Sequence, residues 1–160
     1  MKPVGKLSAT FLIAAARLLA QSALLECTQD AAAGGQGRDK EMKGAILLSF
    51  RASAIPGWTV DRGQLLLRKR GHTAASVKVA AVREPWTEAK PPKSLKLDWV
   101  DAPVEEQPEG WVLIRIPGAV VQPMAADQRR GIAVKLPPDW RVDSRESIRY
   151  APYLYVEGRR

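Results

Sequence analysis

Short apolar runs, each closed by glycine or proline, narrow the fold of this chain more than any other feature. The runs are Gly44–Phe50, Gln64–Arg68, Ser76–Val82, Gly110–Ile116, Ile132–Leu136 and Ser147–Val156. A strand sends successive side chains to opposite faces. Val77, Val79 and Ala81 therefore share one face and Lys78 and Ala80 the other, while Val112, Ile114 and Ile116 oppose Leu113 and Arg115. In the last run Leu154 and Val156 face one way and Tyr153 and Tyr155 the other. Strands of this length and spacing predict an all-β sandwich or barrel. A chain of 160 residues, 46% hydrophobic, has room for one domain with a real core.

The connections follow from the same punctuation. Ile55-Pro56-Gly57-Trp58 and Gly71-His72 read as turns, and the glycine-rich, charged stretch Gly34 to Glu41 as a polar connection. From Pro85 to Pro108 the residues Pro91, Pro92 and Pro103 predict one long loop, since proline lacks the N–H a ladder needs. Ala119 to Gln128 suits a short helical turn, limited by Pro123.

The first residues differ in kind. Lys2 and Lys6 precede a mostly apolar stretch, Leu7 to Ala16, followed by the small residues Ala20 and Ser22. This reads as an export signal over residues 1–22, with a single domain over 23–160 and a secreted or periplasmic destination. Arg17 interrupts the apolar run, which leaves an amphipathic N-terminal helix as the competing reading. The run is too short for a transmembrane helix. Cys27 is the only cysteine, so there is no internal disulfide. The large, charged Glu26 before it argues against lipid attachment, and a buried thiol on a first strand is the expectation.

Formal charge is +8, and losing residues 1–22 removes Lys2, Lys6 and Arg17 to leave +5. Such a balance suits acidic partners. The densest basic run, Arg68-Lys69-Arg70, reads as a solvated turn, and nothing singles out nucleic acid. One histidine, His72, and one cysteine cannot make the usual zinc set or catalytic triad, and no phosphate-binding glycine loop is present. Asp98, Asp101, Glu105, Glu106 and Glu109 lie in the expected loop, and Asp143 and Glu146 flank Arg145. Paired acids in an apolar pocket could cleave glycosides, but acids in a solvated loop are ordinary, and compatible with calcium without requiring it. No catalytic residues and no cofactor are expected.

The aromatic residues are more telling. Trp58, Trp86, Trp99, Trp111 and Trp140 stand in a chain with only two phenylalanines. Each could be core, but Tyr153 and Tyr155 fall together on the face opposite Leu154 and Val156, as a ligand platform does.

The ordered series Gly44–Phe50, Ile55-Pro56, Gln64–Leu67, Pro85-Trp86-Thr87-Glu88, Trp111-Val112, Gly131–Lys135, Asp143-Ser144-Arg145-Glu146 and Pro152–Val156 resembles a DNRLRE domain, a secreted β-sandwich related to family 96 carbohydrate-binding modules. The likeness spans roughly residues 24–158. Arg51 stands where such domains often carry an acid, and the six-residue string that names them is missing. The resemblance implies a jelly-roll-like antiparallel β-sandwich that binds glycan or serves as a structural unit. The site expected here holds acidic polysaccharide on Tyr153 and Tyr155 with Arg149, Lys78 and Arg115. The alternative is a structural or adhesive protein of the cell envelope that binds no glycan.

Overall fold

The computed structural model describes residues 20–32, 40–92 and 95–160. Ten strands run in the order β1 (Ala20–Ala32), β2 (Glu41–Met42), β3 (Ala45–Phe50), β4 (Thr59–Arg70), β5 (Ser76–Val82), β6 (Val100–Glu106), β7 (Trp111–Pro117), β8 (Gly131–Lys135), β9 (Arg141–Asp143) and β10 (Tyr153–Arg159). Among the described residues one α-helix, α1 (Gly118–Ala126), lies between β7 and β8. All pairings are antiparallel.

Eight of the strands close on themselves in the order β10, β1, β3, β8, β5, β6, β7, β4, with β4 returning to β10. The expected all-β class is met. In place of two separate sheets there is a closed barrel, because two strands each serve both sides. β1 pairs with β10 through Ala20–Glu26 and with β3 from Cys27 onward, and the exchange falls at a bulge on Thr28. β6 pairs with β5 as far as Pro103 and with β7 from Val104. Strands that switch partners in this way make the corners of a barrel, and closure leaves none of the eight with an open edge. β9 and β2 form a small ribbon on the far end of β4.

The corner explains why the region expected as one loop contains a strand. Pro103 sits where β6 changes partners, and the next residue, Val104, donates its N–H to Ala75 O at 2.9 Å. A missing donor is tolerated at such a point. The last strand is shorter than expected, since Ser147 belongs to a 3-10 turn and pairing starts at Tyr153. Arg68-Lys69-Arg70 are strand residues, not a turn. The Lys69 side chain is 6% exposed, 2.9 Å from Glu106 and 5.1 Å from the Trp140 ring centre. Ala20–Ser22, placed by the sequence in the export signal, pair with Glu157–Arg159; the remainder of that signal lies outside the described residues.

The inward faces supply one core: Ile46, Leu48, Phe50, Leu65, Leu67, Val79, Val112, Ile114, Leu154 and Val156 are all buried in it. Helix α1 adds Val120, Val121 and Met124. Gln122 fastens the helix to β4, accepting from Val60 N–H at 2.8 Å and donating to Trp58 O at 3.0 Å.

For brevity the wall made by β1 (first half), β10, β4, β7 and β6 (second half) is the tyrosine wall. The wall made by β1 (second half), β3, β8, β5 and β6 (first half) is the strapped wall. Its outer face is covered by the chain between β5 and β6, where Trp86, Leu95, Leu97 and Trp99 pack on Ala31, Leu47, Val82 and Ala133. Hydrogen bonds pin this strap. Gln29 Nε2 donates to Trp86 O at 2.9 Å and Trp86 N–H to Arg129 O at 3.1 Å, beside the bond from Ser49 Oγ to Arg130 O at 2.5 Å. Glu88 accepts from Asp30 N–H at 3.1 Å and from Arg145 Nε at 2.7 Å.

Gly131 is what lets β8 lie so close beneath the strap. A Cβ there would stand 3.0 Å from Trp86 Nε1 and 2.3 Å from Leu48 O, and the second distance cannot be occupied without moving the backbone.

Candidate functional site

The period-two alternation that buries Leu154 and Val156 turns Tyr153 and Tyr155 outward on β10, in the middle of the tyrosine wall, where both are half-buried. Register then fixes their neighbours. One row across the strands reads Leu24, Tyr155, Gln64, Arg115, and the next reads Glu26, Tyr153, Leu66, Leu113, Glu105. Neighbouring strands lie about 4.8 Å apart, so Tyr155 and Arg115, two strands apart, stand about 10 Å from one another. Tyr153 also meets Trp111, with ring centres 5.5 Å apart and planes tilted by 57°. That tilt suits the attraction of one ring's edge for another's face.

A groove of about 280 Å³ runs beside Tyr155, lined by Arg62, Gln64, Arg115 and Pro117. Its cations are held in exposed ion pairs, Arg62 with Glu157 at 2.6 Å and Arg115 with Glu105 at 2.9 Å. Pairs of this kind contribute little to stability and can exchange partners with a ligand. The face thus offers aromatic surface, an amide and two guanidinium groups within a few strands.

The five residues expected to bind do not all meet. Tyr153, Tyr155 and Arg115 share the tyrosine wall. Arg149 lies in the turn before β10, with its guanidinium 5.4 Å from the Tyr150 ring centre. Lys78 is on the strapped wall, 2.8 Å from Asp101. Gln64, which completes the row, and Arg62, which lines the groove beside it, were legible only once β4 was known to lie beside β10. Of the five tryptophans, Trp58, Trp86 and Trp140 are buried, while Trp99 and Trp111 are half-buried.

The acids divide in a similar way. Asp98, Asp101, Glu105, Glu106 and Glu109 are not enclosed together, whereas Asp30 is 2% exposed and receives the Arg145 backbone N–H at 2.6 Å. Burial, aided by the negative charge of Glu88, pushes the Asp30 carboxyl up to about 6 against the opposing pull of that N–H. Burial likewise raises the Cys27 thiol, which is partly buried on β1 as expected. Asp30 and Glu88 are both committed to holding the strap, and neither lines the grooves described here. His72 is a surface turn residue, its side chain 95% exposed and its Nδ1 2.7 Å from Asp139. Its two hydrogen bonds hold the Asp139 carboxyl below the usual range.

Among the described residues no three His, Cys, Asp or Glu side chains cluster as a metal site would require, and no helix is long and apolar enough to cross a membrane. No known family's model matches the chain. No curated protein sequence matches it either.

Proposed function

We propose that this chain is a non-catalytic carbohydrate-binding-type module, exported to the periplasm or beyond, which holds acidic polysaccharide on the outer face of the tyrosine wall. The observation that carries the reading is the row Tyr155, Gln64, Arg115 beside a groove that also takes in Arg62. Aromatic faces stack on sugar rings, amides bond ring hydroxyls, and guanidinium groups match carboxylates in bidentate fashion. The reading keeps the sugar class implied by the sequence resemblance to a DNRLRE domain and moves its site from a sandwich to the wall of a closed barrel. Export requires a cut ahead of Ala20, because the residues that follow pair with β10.

Affinity electrophoresis in gels containing alginate- or pectin-like polymers tests this. Retardation by at least one acidic polymer, lost in a Tyr153→Ala, Tyr155→Ala double variant, is expected. No retardation in any polymer, or undiminished retardation of the double variant, overturns it.

A structural or adhesive role has one observation of its own. Leu24 is 62% exposed and stands beside Tyr155, with Leu66 and Leu113 on the same face, an apolar band of the sort that meets another protein. In that case the double variant loses a protein partner and no polymer retards the wild type.

A further inference from the structure

A polar cleft of about 410 Å³ opens at the corner where β1 passes from one wall to the other. The bulge supplies part of it, since the extra residue, Thr28, projects at the corner and Gln29 follows. Arg51 and Ser53, just past β3, form a second side, and Gln128 and Arg129, just ahead of β8, a third. Trp86 also lines it. Its size lies in the range of small-molecule sites, and its groups are nearly all hydrogen-bond donors or acceptors.

We propose that this cleft binds a carboxylated sugar unit, with Arg51 and Arg129 taking the carboxylate and Thr28, Ser53 and Gln128 taking ring hydroxyls. Both cations have capacity to spare. Arg51 touches Glu26 through one nitrogen at 3.4 Å, and its side chain is 60% exposed. Arg129 spends Nε and Nη2 on the two oxygens of Asp127, at 3.1 and 2.9 Å. A guanidinium has five N–H donors, so each retains a free edge. Asp127 orients Arg129 through those two bonds, which also draw its own carboxyl down to about 2. Gln29 is likewise fixed, because its Nε2 is committed to Ser49 Oγ and Trp86 O. A preorganised set of this kind loses little entropy on binding.

The cleft also continues the tyrosine wall. Glu26, the residue opposite Tyr153 in the β1–β10 register, is the ion-pair partner of Arg51. A polymer lying across Tyr153 can therefore turn the corner into the cleft. The assignment rests on the preceding reading for its sugar class and adds a second anchoring point, separate from the tyrosines.

Trigalacturonate and trimannuronate, with the methyl ester of trigalacturonate as the uncharged control, are the probes. The full chain is titrated by calorimetry while the Trp86 indole resonance is followed by NMR. Expected are a shift of that resonance with at least one acidic trisaccharide, weakening by about tenfold for the ester, and a similar loss in Arg51→Ala and in Arg129→Ala. Arg51→Lys should recover part of the loss. Both arginines are exposed, so the melting transition should be unchanged and report that the variants fold. Trisaccharide binding that moves Trp86 and depends on the arginines, with polymer retardation indifferent to the tyrosines, keeps the cleft and removes the platform. Retardation that needs the tyrosines, with Trp86 unmoved and the arginine variants unchanged, overturns the cleft and keeps the platform. No response to any acidic sugar overturns both.

Discussion

The two walls of this barrel follow the same pleat yet treat their outer faces in opposite ways. On the strapped wall the chain covers its own surface: Leu47 and Ser49, which point away from the barrel core, are as inaccessible as Ile46 and Leu48, which point into it. On the tyrosine wall the outward residues Tyr153, Tyr155, Leu66 and Leu113 stay half-buried, with Leu24 open beside them. The comparison teaches where binding and stability can be separated. A side chain under the strap serves the fold, whereas one on the tyrosine wall can be spent on a ligand.

Truncation should expose this difference most strongly. Leu47→Ala empties a buried site under the strap and is expected to cost about 2–5 kcal/mol, measured by denaturant unfolding. A cost comparable to that of an exposed site would show that the strap is not packed in solution and would erase the contrast between the walls.

A smaller effect, visible in pH, should come from Asp30. Its carboxyl, at about 6 in the folded chain, lies above the value of about 3.9 for an unfolded one. The folded state therefore takes up the proton first. The resulting stabilisation is fully present below about pH 4 and is lost as pH rises through about 6. Relative to Asp30→Asn, the wild type should gain about 2 kcal/mol between pH 7.5 and 4.5. A flat difference across that range would mean that the acid under the strap is solvated.

The smallest stability change belongs to the open wall. Tyr155→Ala should alter stability by about 1 kcal/mol or less, in the range of cross-strand pairs, while abolishing most polymer retardation. A large destabilisation would instead make Tyr155 part of the packing and bring the two walls closer in kind.

How much could be read from the sequence depended on how local the signal was. Ser76–Val82 matches β5, and Trp111–Pro117 nearly matches the expected run, because clean alternation is carried within each segment. The pairing of Tyr153 with Tyr155 on one outward face came from the same signal. β1 was masked by its composition, AQSALLECTQDAA, which alternates poorly and overlaps the expected export signal. β6 was hidden by Pro103, whose tolerance depends on a corner that no local pattern announces. The uninterrupted apolar run Ala45–Leu48 did carry an unused clue, since strands covered on both faces lose their alternation. The cleft was the least visible feature. It gathers residues from β1, the turns beside β3 and β8, and the strap, which no local pattern brings together.

The register that seats β10 between β1 and β4 has a consequence for how the molecule is made. Ala20 is paired with Arg159, so the last of the eight barrel strands to be made is the keystone of the ring. Until it arrives, β1 and β4 each keep an open edge, and the nascent chain resembles an unbuttoned coat. Closing a contact across so much of the chain is slow compared with forming a hairpin. Until that strand is made the barrel cannot lock, so closure waits on the whole ring.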